Sequence, residues 1–183
     1  MRFILKYFWI AFSFFCLAFT VHSEDKPILW NKEHRLSWDD FRAAPDDGSR
    51  AVAITASGIS YQLSAELKEN AVVEVDCEVG AYFYPYESWC KLHLTDKSTL
   101  GHEQLHFDIS ELMAREFRKR IANKKFTKNV KQEVKEIYFE VSDSLDLLQK
   151  LYDKETNFSM NDEKQAYWHH KIALELEATK NYQ

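Results

Sequence analysis

Leu100–Ala122, LGHEQLHFDISELMAREFRKRIA, is the stretch from which the rest of the chain can be read. Leu105, Ile109, Leu112, Met113, Phe117 and Ile121 recur at spacings of three and four, which predicts a helix with one apolar face. Ser98 or Thr99 is available to cap it. The same helix carries His102 and His106 four residues apart, so both imidazoles can aim at one point. Glu103 follows His102 directly.

Two histidines in this relation suit a zinc ion that keeps one position open for water. A glutamate one residue round from the first histidine can take a proton from that water, so Glu103 is the candidate general base. The plainer alternative is a surface helix with two solvated histidines. Two histidines do not complete a site, and a third protein donor has to be found. Ser110 and Glu111 are the nearest polar residues downstream, but Glu111 is five residues beyond His106 and points away from the histidine face.

A second helical run carries Val130, Val134, Ile137, Val141, Leu145, Leu148 and Tyr152 as one apolar stripe. Continuing that stripe by three residues reaches Glu155, which would face inward if the helix persists and is the expected third ligand. Asp153, beside Tyr152 and off the stripe, is the other candidate. Both also fit a solvated helix end. Tyr152 is either core or a hydroxyl that steadies a developing oxyanion. A third helix begins near Ser159, whose spacing to Asp162 fits a capping box, and sets Trp168, Ile172 and Leu176 on one side. His169 and His170 are adjacent, so at most one can point inward, and both read as surface residues.

Upstream of the decisive helix the pattern changes to strands. AVAITASGISYQL, residues 51–63, suggests a strand bent near Gly58. In the next stretch Val73, Val75, Cys77 and Val79 alternate with Glu74, Asp76 and Glu78, the signature of a half-buried strand. Tyr82–Trp89 contains Pro85 and reads as an edge strand or a loop. The expected fold is α+β: a small, mainly antiparallel N-terminal sheet followed by three helices.

Arg2 and Lys6 precede an uncharged apolar run from Tyr7 to Val21, and Val21-His22-Ser23 offers a cleavage site ahead of Glu24. Residues 1–23 read as a secretory signal peptide, with an uncleaved membrane anchor as the alternative. The expected arrangement is therefore a leader, 1–23, and a single domain, 24–183, secreted or periplasmic. Cleavage would remove Arg2 and Lys6 and no acid, moving the formal charge from -5 to -7. So acidic a domain is not a natural partner for nucleic acid or an anionic membrane, and no stable membrane insertion is expected after cleavage. Cys77 and Cys90 would remain, and in an oxidising compartment an even pair suggests a disulfide, with buried free thiols as the alternative.

These stretches together resemble a bacterial family of predicted secreted zinc-dependent proteases, catalogued as a domain of unknown function. The resemblance runs through LSWDDFRAAPDD (Trp38, Phe41), ESWC (Trp89), LGHEQLHFDISELMAR and YDKETNFSMNDEKQAYW. It implies a zincin-like metallopeptidase architecture, zinc held by His102 and His106, Glu103 as catalytic base, and a peptide or protein substrate. One position departs from the pattern. After Tyr152, Asp153 and Thr156 the family tends to carry a histidine, where this chain has Phe158. Phenylalanine cannot coordinate zinc, which leaves Glu155 or Asp153 to complete the site. The other outcome is a degenerate, non-catalytic envelope protein that retains the fold.

Overall fold

In the computed structural model, which describes residues 26–183 except Asn70, every residue of the helical stretch from His102 to Leu112 is buried. The reason is its position at the centre of the molecule. The helix, α1 (Lys97–Asn123), packs on the sheet on one side and on α2 (Val130–Thr156) and α3 (Asp162–Ala178) on the others. A helix enclosed in this way must bury its polar residues too, and each needs a partner. Burying Leu105, Ile109, Leu112 and Phe117 stabilises the fold by roughly 1.5–3 kcal/mol each.

The polar residues of α1 tie it to its surroundings. The Gln104 side-chain oxygen accepts from the Leu36 backbone N–H at 2.7 Å. Asp108 accepts from the Trp30 indole at 2.9 Å, from Gln104 at 2.9 Å and from Arg35 at 3.1 Å. Glu111, fully enclosed, accepts from Arg115 at 2.7 Å and Arg118 at 3.1 Å. The N-terminal segment is thus clasped to the central helix by hydrogen bonds as well as by apolar contact.

The sheet is antiparallel, as expected. β3 (Ser57–Lys68) and β4 (Ala71–Phe83) pair along their length, and β1 (Ile28–Leu29) joins the other edge of β4. A separate two-stranded sheet is formed by β2 (Ala53–Ile54) and β5 (Trp89–Cys90). The strand expected to bend near Gly58 is in fact two strands, parted at Thr55-Ala56 and assigned to different sheets. Tyr84–Ser88 is a loop, and only its end enters β5. Val73 departs from its expected face. Glu66 pairs with Glu74 and Leu67 with Val72, so Val73 is the extra residue of a bulge. The phase of alternation flips there: Val72 packs on the core and Val73 is exposed.

Two helix starts also differ from expectation. The cap of α1 is Asp96, which accepts from the Thr99 N–H at 2.8 Å, and the cap of α3 is Asn161, not Ser159. Ser159 instead closes a run of three left-handed residues, Asn157 (φ 50°), Phe158 (φ 52°) and Ser159 (φ 71°), that reverses the chain between α2 and α3. The α2 stripe is as expected, with Val130, Val134, Ile137, Val141, Leu145 and Tyr152 buried.

Cys77 and Cys90 are both free thiols, so the expected disulfide is not formed. Cys77 pairs with Leu63 in the larger sheet and Cys90 with Ala53 in the smaller one. The proposed leader lies outside the described residues. Among the described residues no helix is long and apolar enough to cross a membrane.

Candidate metal centre

His102 and His106 project from consecutive turns of α1, with ring centroids 4.9 Å apart and planes nearly perpendicular. Their Nε2 atoms are 3.3 Å apart. The third group at this point is Asp153, from the last turns of α2. Its Oδ1 lies 3.1 Å from His102 Nε2 and 2.9 Å from His106 Nε2. Burial raises the Asp153 pKa, but the two imidazoles outweigh it and hold the carboxyl well below the usual carboxylate range. The Asp153 side chain is 29% exposed, and both histidines are more enclosed, so the cluster meets solvent on the Asp153 side.

The three atoms fit a small divalent cation by both type and spacing. Imidazole nitrogen and carboxylate oxygen are the donors zinc takes, and four donors placed tetrahedrally at zinc distances stand about 3.3 Å from each other. The observed separations of 2.9, 3.1 and 3.3 Å fall at or just below that figure. Three protein donors leave the fourth position for water or substrate.

Glu155, the ligand first expected, is placed elsewhere. Its Oε2 accepts from the Trp168 indole N–H at 2.9 Å, so it joins α2 to α3 instead of reaching the histidines. The physical reason is the helix turn: 100° separates successive residues, and α2 crosses α1 with position 153, not 155, toward the histidine pair. Phe158 stands beyond the end of α2 and is 65% exposed. Of the two readings of Tyr152, its placement fits the core one. Its ring is fully buried beneath His102, with centroids 4.5 Å apart. Its hydroxyl is engaged by the Gln165 amide and by the His102 carbonyl, and burial pushes its pKa far up.

Glu103 is buried, and no hydrogen-bond donor among the described residues reaches its carboxylate. Its backbone carbonyl accepts from Thr55 at 3.3 Å, which fixes this turn of α1 against the β2–β3 junction. Its charge reaches Cys90 on β5, whose pKa is raised first by burial and then by this carboxylate. The carboxylate oxygens, unpartnered by protein, are not sealed from solvent, so Glu103, one residue from a metal-type histidine, is free to bind a water.

Gln165, on α3, was not identified from sequence. Its Oε1 is 3.1 Å from His102 Nδ1, and its Nε2 meets the Tyr152 hydroxyl and His169 Nε2. Only a helix-face count from Trp168, three residues on, could have turned it inward. His169 is half-buried beside Gly101, contrary to the surface position expected, whereas His170 is exposed.

The geometry lies almost wholly within one recognisable stretch. Residues 93–160 match the family described as bacterial protein of unknown function (DUF922). No curated protein and no solved structure matches the chain. The DUF922 stretch contains His102, Glu103, His106, Tyr152, Asp153 and Phe158. It begins after the LSWDDF and ESWC segments and ends before Gln165.

Proposed function

We propose that the protein is an exported zinc-dependent peptidase of zincin-like architecture, with Glu103 as general base. The observation that carries this reading is the convergence of His102 Nε2, His106 Nε2 and Asp153 Oδ1 within 3.3 Å, beside an unpartnered Glu103. His102, His106 and Asp153 would hold the metal. When bound, the metal lowers the pKa of a water and polarises the carbonyl to be attacked. Glu103 accepts the proton that this water gives up and passes it to the leaving amine, so that one water is consumed per bond cleaved. Tyr152 serves as the floor that holds the His102 ring in place, not as a donor to the substrate.

The competing reading, a degenerate envelope protein, rests on Phe158. Asp153 weighs against it by bringing the donor count to three. A non-proteolytic zinc hydrolase shares the same water chemistry, and the choice of peptidase follows the family resemblance. Export is proposed from Arg2, Lys6 and the apolar run after them.

Purified mature protein should carry close to one zinc per chain. Glu103→Ala should retain the metal and lose hydrolysis by at least 100-fold, tested on peptide, ester and amide substrates. Protein that excludes zinc, or a Glu103→Ala variant as active as wild type, would overturn the reading. Cell fractionation tests export.

A further inference from the structure

Gln165 sits where three buried groups must agree on their protons. A side-chain amide has one acceptor oxygen and two N–H donors. Here Oε1 faces His102 Nδ1, while Nε2 faces both the Tyr152 hydroxyl and His169 Nε2. This orientation satisfies the amide, while the Asp153 carboxylate, 3.1 Å from His102 Nε2, draws its hydrogen from His106 Nε2 at 2.9 Å. The amide donates one hydrogen to the Tyr152 oxygen and the other to His169 Nε2. Tyr152 passes its own hydrogen to the His102 carbonyl, 3.4 Å away. Oε1 is left as an acceptor and, with Asp153 supplied by His106, the neutral His102 ring is set to carry its proton on Nδ1. Nε2 then presents a lone pair toward Asp153 and His106.

The opposite orientation is physically distinct. With the amide turned over, Nε2 would donate to His102 Nδ1, and the ring proton would move to the nitrogen that faces Asp153. His169 would then have to donate from Nε2. Burial lowers the His169 pKa, consistent with a neutral ring that can accept there.

We propose that Gln165 is the positioning residue of the metal centre: it fixes the tautomer of His102 and leaves Nε2 free as a donor. This rests on the metal-centre reading above but is separable from it, because the tautomer exists without metal. Residues that orient a metal-binding histidine in this way are typically worth about 10–100-fold in metal affinity.

The test uses the full mature chain. Nitrogen-15 NMR of zinc-free protein, at a pH where His102 is neutral, should show the proton on Nδ1. Gln165→Glu keeps an acceptor at the same place and should preserve that tautomer, and zinc affinity within a few-fold. Gln165→Met has no acceptor; it should give a mixture of tautomers and weaken zinc binding by about 10–100-fold, measured against a chromophoric chelator. Thermal melts of both variants separate this loss from general unfolding, since a purely structural role would leave the tautomer of the folded protein unchanged. A wild-type proton on Nε2, or a Gln165→Met variant with an unaltered tautomer, overturns the proposal. If the wild type shows the Nδ1 tautomer but no zinc binding, the metal reading fails and the tautomer assignment stands.

Discussion

The His102 ring lies on the Tyr152 ring with 22° between their planes, so the tyrosine supports the histidine from below. Stacking of this kind restricts ring rotation, and the Tyr152 hydroxyl is already used by buried neighbours. Tyr152→Phe should therefore keep hydrolysis within a few-fold while losing about 1–2 kcal/mol of stability, because the Gln165 amide loses an acceptor. Urea denaturation and steady-state kinetics measure the two effects. A loss of activity of 100-fold or more would restore an oxyanion role.

Asp153 and Glu155 differ by two positions and should differ sharply in consequence. Asp153→Ala should weaken zinc binding by at least 100-fold in a chelator competition. Glu155→Gln should leave zinc binding unchanged and affect only the packing of α2 on α3. Phe158→His should give no gain in affinity, since position 158 is exposed and the three-donor set does not include it. A large gain would mean that the site is completed from position 158 after all.

The two thiols should be countable. Denatured protein, without added reductant, should take up two alkyl groups per mature chain by mass spectrometry. Burial, followed by the neighbouring Asp76 charge, raises the Cys77 pKa from 9.0 to about 11. The folded state therefore holds this proton more tightly than the unfolded state. The associated stability is complete below about pH 9 and is lost as the pH rises toward 11. Cys77→Ala should flatten the fall in melting temperature across that window.

Asp108 should be worth more than the arginine that pairs with it. Its removal leaves the buried Trp30 and Gln104 donors without their acceptor. Asp108→Ala should cost about 2–4 kcal/mol, with a shift in tryptophan fluorescence. Arg35, whose side chain is 55% exposed, should cost under about 1 kcal/mol on replacement by alanine.

The helices were legible because their apolar residues recur at helical spacing and the stripe of α2 is buried almost as written. The α1 stripe told only part of its story, since a helix enclosed on all sides buries Glu111 and Arg115 as deeply as Leu105. Val73 was misread because a bulge is a property of strand pairing, and the alternation of one strand does not reveal it. That His102 and His106 share one helix face was legible from local spacing alone. That Asp153 is the acid that meets them was not, because the choice between positions 153 and 155 depends on how α2 crosses α1. Gln165 was hidden for the same reason, being set by the packing of a third helix.

The left-handed run at Asn157, Phe158 and Ser159 places three side-chain-bearing residues where each costs roughly 1–2 kcal/mol relative to ordinary backbone. Two hydrogen bonds lock it, from Phe158 N–H to the Asp153 carbonyl at 3.0 Å and from Asn161 N–H to the Thr156 carbonyl at 2.8 Å. The first of these fastens the turn to the residue whose carboxylate meets the histidines. One short reversal therefore stands between the two outside partners of His102, with Asp153 before it on α2 and Gln165 after it on α3.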